Sequence, residues 1–160
     1  MKRACLFAAL FCLAFSVIVF ADETGQSDVE LLVVDTQELI INDEYIVIPT
    51  PGVDQFNASY TETATASLTV KSNVPWKLSM KTKDWSWPEG VEKAVSHYEW
   101  KLEGQGDFQS CSNSNVTDVI SGGPTGGTVV TLNYRVKLDW AKDVPGAYSI
   151  VQEYTLTKDS

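Results

Sequence analysis

Apolar residues recur at every second position between Val130 and Trp140, and this alternation constrains the fold more than any other feature of the sequence. Because successive side chains of a β-strand point to opposite faces, it predicts a long strand with one buried face. The breaker Pro145-Gly146 follows, and a second apolar run then returns, so we predict an antiparallel hairpin over residues 128–157. Gln152 interrupts the apolar face of the second run, which predicts a β-bulge or a poorly covered position there. A single hairpin is only marginally stable in water, so the rest of the chain must supply strands that cover it.

Short strand signals, bounded by Gly, Pro, Asn or Ser, recur along the remaining chain. We predict a strand buried on both faces at residues 29–34, a short hairpin from 39–41 and 45–48, a second hairpin from 68–71 and 76–81, and further strands at 56–60, 98–103 and 116–120. No segment has a helical period, and no repeat or linker divides the chain. The pattern predicts an all-β fold with about eight or nine strands, a single antiparallel β-sandwich with immunoglobulin-like Greek-key connections. A barrel of similar strand number is the alternative.

The first residues have the pattern of a secretory signal peptide. Lys2 and Arg3 precede an uncharged apolar run over residues 6–20, and the triplet Val19-Phe20-Ala21 fits cleavage after Ala21. We therefore predict a signal peptide at residues 1–21 and one domain at residues 22–160, secreted or held at the cell surface without a membrane span. A membrane anchor is the competing interpretation, since the run approaches the length of a short transmembrane helix.

Cleavage would leave ten basic residues against 21 acidic ones, and a single cysteine. Such an acidic surface repels nucleic acid and anionic lipid head groups, so neither is expected as a partner. Cys5 and Cys12 leave with the signal peptide, so no disulfide can form within the mature chain. The remaining Cys111 is either a buried small residue or an exposed thiol, and its polar neighbours favour exposure.

Motifs for catalysis and cofactor binding are missing from the sequence. With His97 as the only histidine and Cys111 as the only mature cysteine, sites of several histidines or thiolates are excluded. No nucleophile elbow is present, and the glycine-rich stretch 122–127 lacks the lysine and the following helix of a phosphate loop. The acids leave a carboxylate pair for glycoside hydrolysis open, although none stands out. Asn42-Asp43-Glu44 offers oxygen ligands for calcium, but an ordinary polar turn explains it better. We predict a non-enzymatic protein without a cofactor.

One aromatic group has the character of a binding site: Trp85, Trp87, Tyr98 and Trp100. Tryptophan and tyrosine rings stack on sugar rings, which makes a carbohydrate-binding module one candidate function. The alternative is that these rings fill the interior of the sandwich, as large aromatic side chains usually do.

Two short motifs resemble those of the WxL family of bacterial surface proteins. Trp76-Lys77-Leu78 follows a short strand, and Tyr154-Thr155-Leu156 follows the Pro145-Gly146 turn near the C-terminus. The first motif matches the family outright, whereas the second has Tyr154 where the family has tryptophan. The resemblance implies a secreted domain held non-covalently on peptidoglycan, with Trp76, Leu78, Tyr154 and Leu156 as binding residues. Their positions on apolar strand faces also fit an interior role.

Assembly offers a second class of function. Subunits of fibres, pili and coats join by adding an extended segment of one chain to a sheet edge of another. The apolar stretch 29–34 is the candidate for such a segment. The sequence thus predicts an exported protein whose partners are wall polysaccharide, other envelope proteins or further copies of itself.

Overall fold

A computed structural model describes residues 30–159 of the chain. These residues contain one short helix, α1 (Val53–Ala58), a 3₁₀ turn at Val95–His97 and eight antiparallel strands: β1 (Gln37–Ile41), β2 (Ala64–Ser72), β3 (Trp76–Ser86), β4 (Tyr98–Leu102), β5 (Gln109–Ser110), β6 (Thr117–Gly122), β7 (Thr125–Val136) and β8 (Ser149–Lys158). All of these elements belong to one unit that begins at Val34. The predicted all-β class is confirmed.

The strands form two sheets that pack face to face. The larger sheet has the order β1-β2-β7-β4-β5, and the smaller one has the order β6-β3-β8. Alternate residues of the central strands face the interior, as the period of two requires. They make up the buried core: Leu68, Val70, Trp76, Leu78, Met80, Tyr98, Trp100, Val130, Leu132, Tyr134 and Val136. The predicted antiparallel sandwich of about eight strands is therefore confirmed.

Both predicted long hairpins are wrong in their pairing. β7 pairs with β2 and β4 in the larger sheet, whereas β8 pairs with β3 in the smaller one. Likewise β2 and β3 lie in different sheets, so the turn between them crosses the core. The alternation of residues fixes which face of a strand is buried, but it carries no information on which strand lies beside it. Crossing connections of this kind are typical of Greek-key sandwiches.

The long strand of the predicted C-terminal hairpin also ends earlier than its alternation suggests. β7 stops at Val136, because β4 begins opposite that residue and β2 begins opposite Tyr134. Beyond this point Trp140 leaves the sheet and packs on the ring of Phe56, with 4.5 Å between ring centroids. The bulge predicted near Gln152 occurs in the neighbouring strand, between Thr82 and Asp84, directly opposite Gln152.

Three predictions in the N-terminal part are wrong. Residues 30–34 form no strand, and their apolar side chains are exposed; Val29 lies outside the described residues. Residues 45–48 also form no strand, so β1 pairs with β2 alone. Residues 53–58 form α1 instead of the start of a strand, because Gly52 begins a helix whose Gln55 side chain accepts a hydrogen bond from the Gly52 amide.

Candidate functional site

The two WxL-like motifs lie side by side on β3 and β8. Leu78 is directly opposite Leu156, and Met80 is opposite Tyr154. Trp76 is 2% exposed, Leu78 is fully buried, and the Trp76 indole N–H donates a hydrogen bond to the Gly123 carbonyl at 2.7 Å. These two side chains therefore belong to the core and are not accessible to a ligand.

The second motif is more open than the first. Tyr154 and Leu156 pack against the core but remain partly exposed. The hydroxyl groups of Tyr154 and Tyr134 share a hydrogen bond of 2.7 Å. Burial raises the pKa of Tyr134 well above the ordinary tyrosine value, so this bond joins two neutral groups across the interior.

The predicted aromatic group divides into two buried and two accessible members. Tyr98 and Trp100 lie in the core, and burial raises the pKa of the Tyr98 hydroxyl. Trp87 stacks on Tyr98, with 5.4 Å between ring centroids, while the Trp85 side chain is 41% exposed. Only Trp85 and Trp87 can therefore meet a ligand.

Trp85 and Trp87 line a shallow, largely open cleft of about 470 Å³, together with the segment 91–94. Lys93 fixes this segment, because its buried ammonium donates hydrogen bonds to both Asp143 carboxylate oxygens, at 2.7 and 2.8 Å, and to the Lys137 carbonyl at 2.6 Å. The cleft combines two indole rings with the Glu92 carboxylate. Aromatic faces beside a hydrogen-bond acceptor are the groups that a sugar ring requires.

The polar residues singled out in the sequence have structural roles. Asp43 accepts hydrogen bonds from the Ser67 hydroxyl and amide, at 2.7 and 2.9 Å, and these bonds lower the pKa of its carboxyl. His97 ends the 3₁₀ turn directly before β4, where burial and the charges of Lys93 and Lys137 lower the pKa of its imidazole. Within residues 30–159 no group of three acidic, histidine or cysteine side chains is placed to hold a metal ion. In the same range, no helix has the length and apolar character needed to cross a membrane.

Cys111 is buried, which contradicts the expected exposure. It is 3% exposed and packs in the core, and the Gln152 side-chain amide donates a hydrogen bond to its Sγ at 3.2 Å. Burial raises the pKa of the Cys111 thiol to about 12. The polar residues around Cys111 predicted an exposed loop. The chain instead packs beside Tyr98, whose carbonyl accepts a hydrogen bond from the Cys111 amide.

Sequence reasoning missed one further feature, the free edge of β8. Over its whole length this strand pairs with β3, and no other strand among residues 30–159 pairs with its opposite side. Asp35 reaches its C-terminal end, where it is ion-paired with Lys158 at 2.7 Å. Its inward side chains, Ile150, Gln152, Tyr154 and Leu156, are only half-buried, whereas those of β3 at Trp76, Leu78 and Met80 are buried. The predicted hairpin had paired β8 with β7, so this edge could not be seen from the pattern alone.

No model of a known protein family matches the sequence, and no curated protein matches it. The WxL resemblance therefore stays a prediction from two short motifs. The candidate site consists of the β8 edge, with the Trp85/Trp87 cleft as a second accessible feature.

Proposed function

We propose that this chain is an exported, non-enzymatic protein of the bacterial envelope that acts by assembling with other envelope components. The observation that carries the proposal is the free edge of β8, ten residues long, with a half-covered apolar face. A long strand edge presents unpaired amide and carbonyl groups and invites pairing with another extended chain. Of the two free edges of the smaller sheet, β8 is longer than β6, with ten residues against six, which makes it the stronger candidate surface for assembly.

Two features of the sequence support the envelope as the place of action. The N-terminal pattern with predicted cleavage after Ala21 supports export. The acidic mature chain, with one histidine and one buried thiol, supports a role without nucleic acid or nucleophilic catalysis.

Export is tested by fractionating bacterial cells that express the tagged chain and sequencing the N-terminus of the product. We expect a processed protein that begins at Asp22 and is found outside the cytoplasm. A Leu13→Arg variant, which places a charge in the apolar run of the signal, is the control and should remain unprocessed. A wild-type product that keeps Met1 and stays in the cytosol would refute the proposed location.

Wall binding is a second candidate function, and the accessible Trp85/Trp87 cleft favours it. Under this proposal the ligand is a wall polysaccharide or peptidoglycan, as the WxL resemblance also implies. The contact then involves the accessible indoles of Trp85 and Trp87 and not Trp76, whose side chain is buried.

A pull-down of residues 22–160 on purified peptidoglycan tests wall binding. We expect Trp85→Ala to lose most of the binding, because it removes the exposed face of the cleft. Trp140→Ala is the matched control, since Trp140 is a 59% exposed tryptophan outside the cleft. Equal binding by all three proteins, or none by the wild type, would exclude the cleft as a glycan site.

A further inference from the structure

Four consecutive large apolar residues, two residues before the start of β1, are exposed to solvent. The exposed fractions are 82% for Leu31, 83% for Leu32, 69% for Val33 and 63% for Val34. A single exposed leucine is ordinary, but a continuous apolar run marks an interaction site. The run contains no glycine or proline and is rich in residues that favour extended conformations.

The free edge of β8 matches this apolar run, because one side of the strand lacks a paired neighbour. Its outward amide and carbonyl groups have no backbone partner among residues 30–159, because the backbone hydrogen bonds outside regular elements do not involve residues 149–158. Ile150, Tyr154 and Leu156 also lack full cover. One added strand would satisfy the backbone groups and bury these apolar side chains at the same time.

We propose that Leu31–Val34 of a second copy of this chain adds as a strand to the free edge of β8. This inference rests on the proposed function, namely assembly, and names its partner. With Glu30 before it, the segment spans about 17 Å when extended, enough to cover five of the ten positions of β8. The next residue, Asp35, is ion-paired with Lys158 of its own chain at 2.7 Å.

Connectivity favours a second copy running antiparallel to β8. In its own chain the segment ends beside the C-terminal end of β8, where Asp35 is ion-paired with Lys158 at 2.7 Å, so it cannot run antiparallel along its own β8. The segment ends only two residues before β1, so each copy carries a donor segment and a separate acceptor edge. A contact between two different surfaces repeats from copy to copy and builds an open fibre.

Strand addition gives the four residues two distinct environments. Side chains of a strand alternate, so one pair, either Leu31 with Val33 or Leu32 with Val34, turns toward the half-covered core beside Ile150 and Tyr154. The other pair stays on the outer surface. Non-specific hydrophobic association would not distinguish between the two pairs.

The first experiment measures association of residues 22–160 by size-exclusion chromatography with light scattering over a range of concentrations. We expect the wild type to form oligomers that grow with concentration. Of two double variants, Leu31→Asp/Val33→Asp and Leu32→Asp/Val34→Asp, one should weaken association by roughly tenfold or more, because two apolar side chains lose their burial. The other should associate nearly as well as the wild type. The two variants carry the same added charge, and circular dichroism checks that both remain folded.

The second experiment identifies the contact. A photo-crosslinking amino acid replaces Thr155, on the exposed face of β8, in an equal mixture of isotopically light and heavy chains. We expect cross-links to the peptide that contains residues 22–36, and half of them should join a light chain to a heavy one. A probe at Asp118 on β6, the opposite edge of the same sheet, is the control and should give no such product.

The outcomes separate this inference from the proposed function. A chain that is exported but monomeric at every concentration would overturn the inference and leave envelope binding standing. Cross-links found only within single chains would show that the segment pairs with its own domain, which also overturns it. Equal loss of association in both double variants would point to unspecific apolar contact and overturn it as well.

Discussion

Trp76 shows how a residue that resembles a binding motif is used for packing. Its indole N–H donates a hydrogen bond to the Gly123 carbonyl, and its ring packs closely against Gly122. A Cβ added at Gly122 would lie 2.8 Å from Cζ2 of Trp76, which is closer than non-bonded carbon atoms normally approach. The ring therefore requires a residue without a side chain at this position of β6.

A Gly122→Ala substitution should lower the free energy of unfolding by about 1–3 kcal/mol, because it displaces the Trp76 ring from a closely packed site. Gly123→Ala is the matched control, since a Cβ there meets no atom within 4 Å, and it should change stability by less than about 0.5 kcal/mol. Urea unfolding followed by tryptophan fluorescence measures both. Equal stability of the two variants would contradict the packing of Trp76 described above.

Cys111 illustrates how burial controls the chemistry of a single thiol. Since burial raises its pKa to about 12, the thiolate is scarce near neutral pH. We expect the native protein to react with iodoacetamide at pH 8 far more slowly than the same protein in urea. Reaction at equal rates in both states, measured by mass spectrometry, would show that Cys111 is open to solvent.

Among the secondary-structure elements, β4 and β7 are held together on the outer face of the larger sheet by a group of charges. Glu99 of β4 accepts hydrogen bonds from Arg135 and Lys137, each at 2.8 Å. The Arg135 guanidinium also lies between the rings of Tyr60 and Phe108, 3.8 and 3.9 Å from their centroids. These contacts join β4 and β7 to the loops on either side.

This group should make the stability of the sheet depend on pH. Burial, the largest influence, raises the pKa of Glu99, but the bonds from Lys137 and Arg135 outweigh it and lower the pKa below the ordinary glutamate value. The stabilisation is thus present above the ordinary glutamate pKa and is lost as the pH falls through the lowered one.

A Glu99→Gln variant should be less stable than the wild type at pH 7 by about 1–2 kcal/mol, and the difference should shrink toward pH 3. Glu38→Gln, which removes an exposed ion pair with Lys71, is the control and should cost less than about 1 kcal/mol at either pH. Urea unfolding at both pH values is the measurement. A difference between Glu99→Gln and wild type that grows in acid would contradict the lowered pKa.

At the level of the whole molecule, the sandwich is held by its core and its two sheets, and residues 30–159 contain no disulfide. Cys111 is a free, buried thiol, and the other cysteines lie in the predicted signal peptide. Connections that cross between the sheets, such as the turn from β2 to β3, tie both layers into one core. Such a fold should unfold as a single unit.

We expect residues 22–160 to show one thermal transition whose midpoint is unchanged by a reducing agent. Differential scanning calorimetry with and without dithiothreitol tests this, and variation of the protein concentration separates unfolding from dissociation of oligomers. A midpoint that falls on reduction would mean that a disulfide between chains contributes to stability.

Some features of the fold were predictable because they depend only on local sequence. The alternation in β2, β3 and β7 correctly predicted strands with one buried face, since a period of two has the same meaning wherever a strand lies. The segment 30–34 was predicted as buried because apolar residues usually are, yet it is exposed. Of the predicted site residues, Trp85 and Trp87 share one accessible cleft, whereas Trp76, Leu78, Tyr98 and Trp100 are buried. Burial of an aromatic ring depends on what packs above it, and that partner is distant in sequence.

The sequence by itself determined the all-β class, the buried face of each central strand and the approximate number of strands. Only the tertiary structure decided which strands are neighbours, because pairing is set by contacts between residues far apart in the chain, as between β2 and β7 or β3 and β8. For the same reason it alone revealed that β8 has a free edge and that Cys111 lies inside. The alternation of residues predicts that one face of a strand is buried, but it does not predict which strand packs against that face.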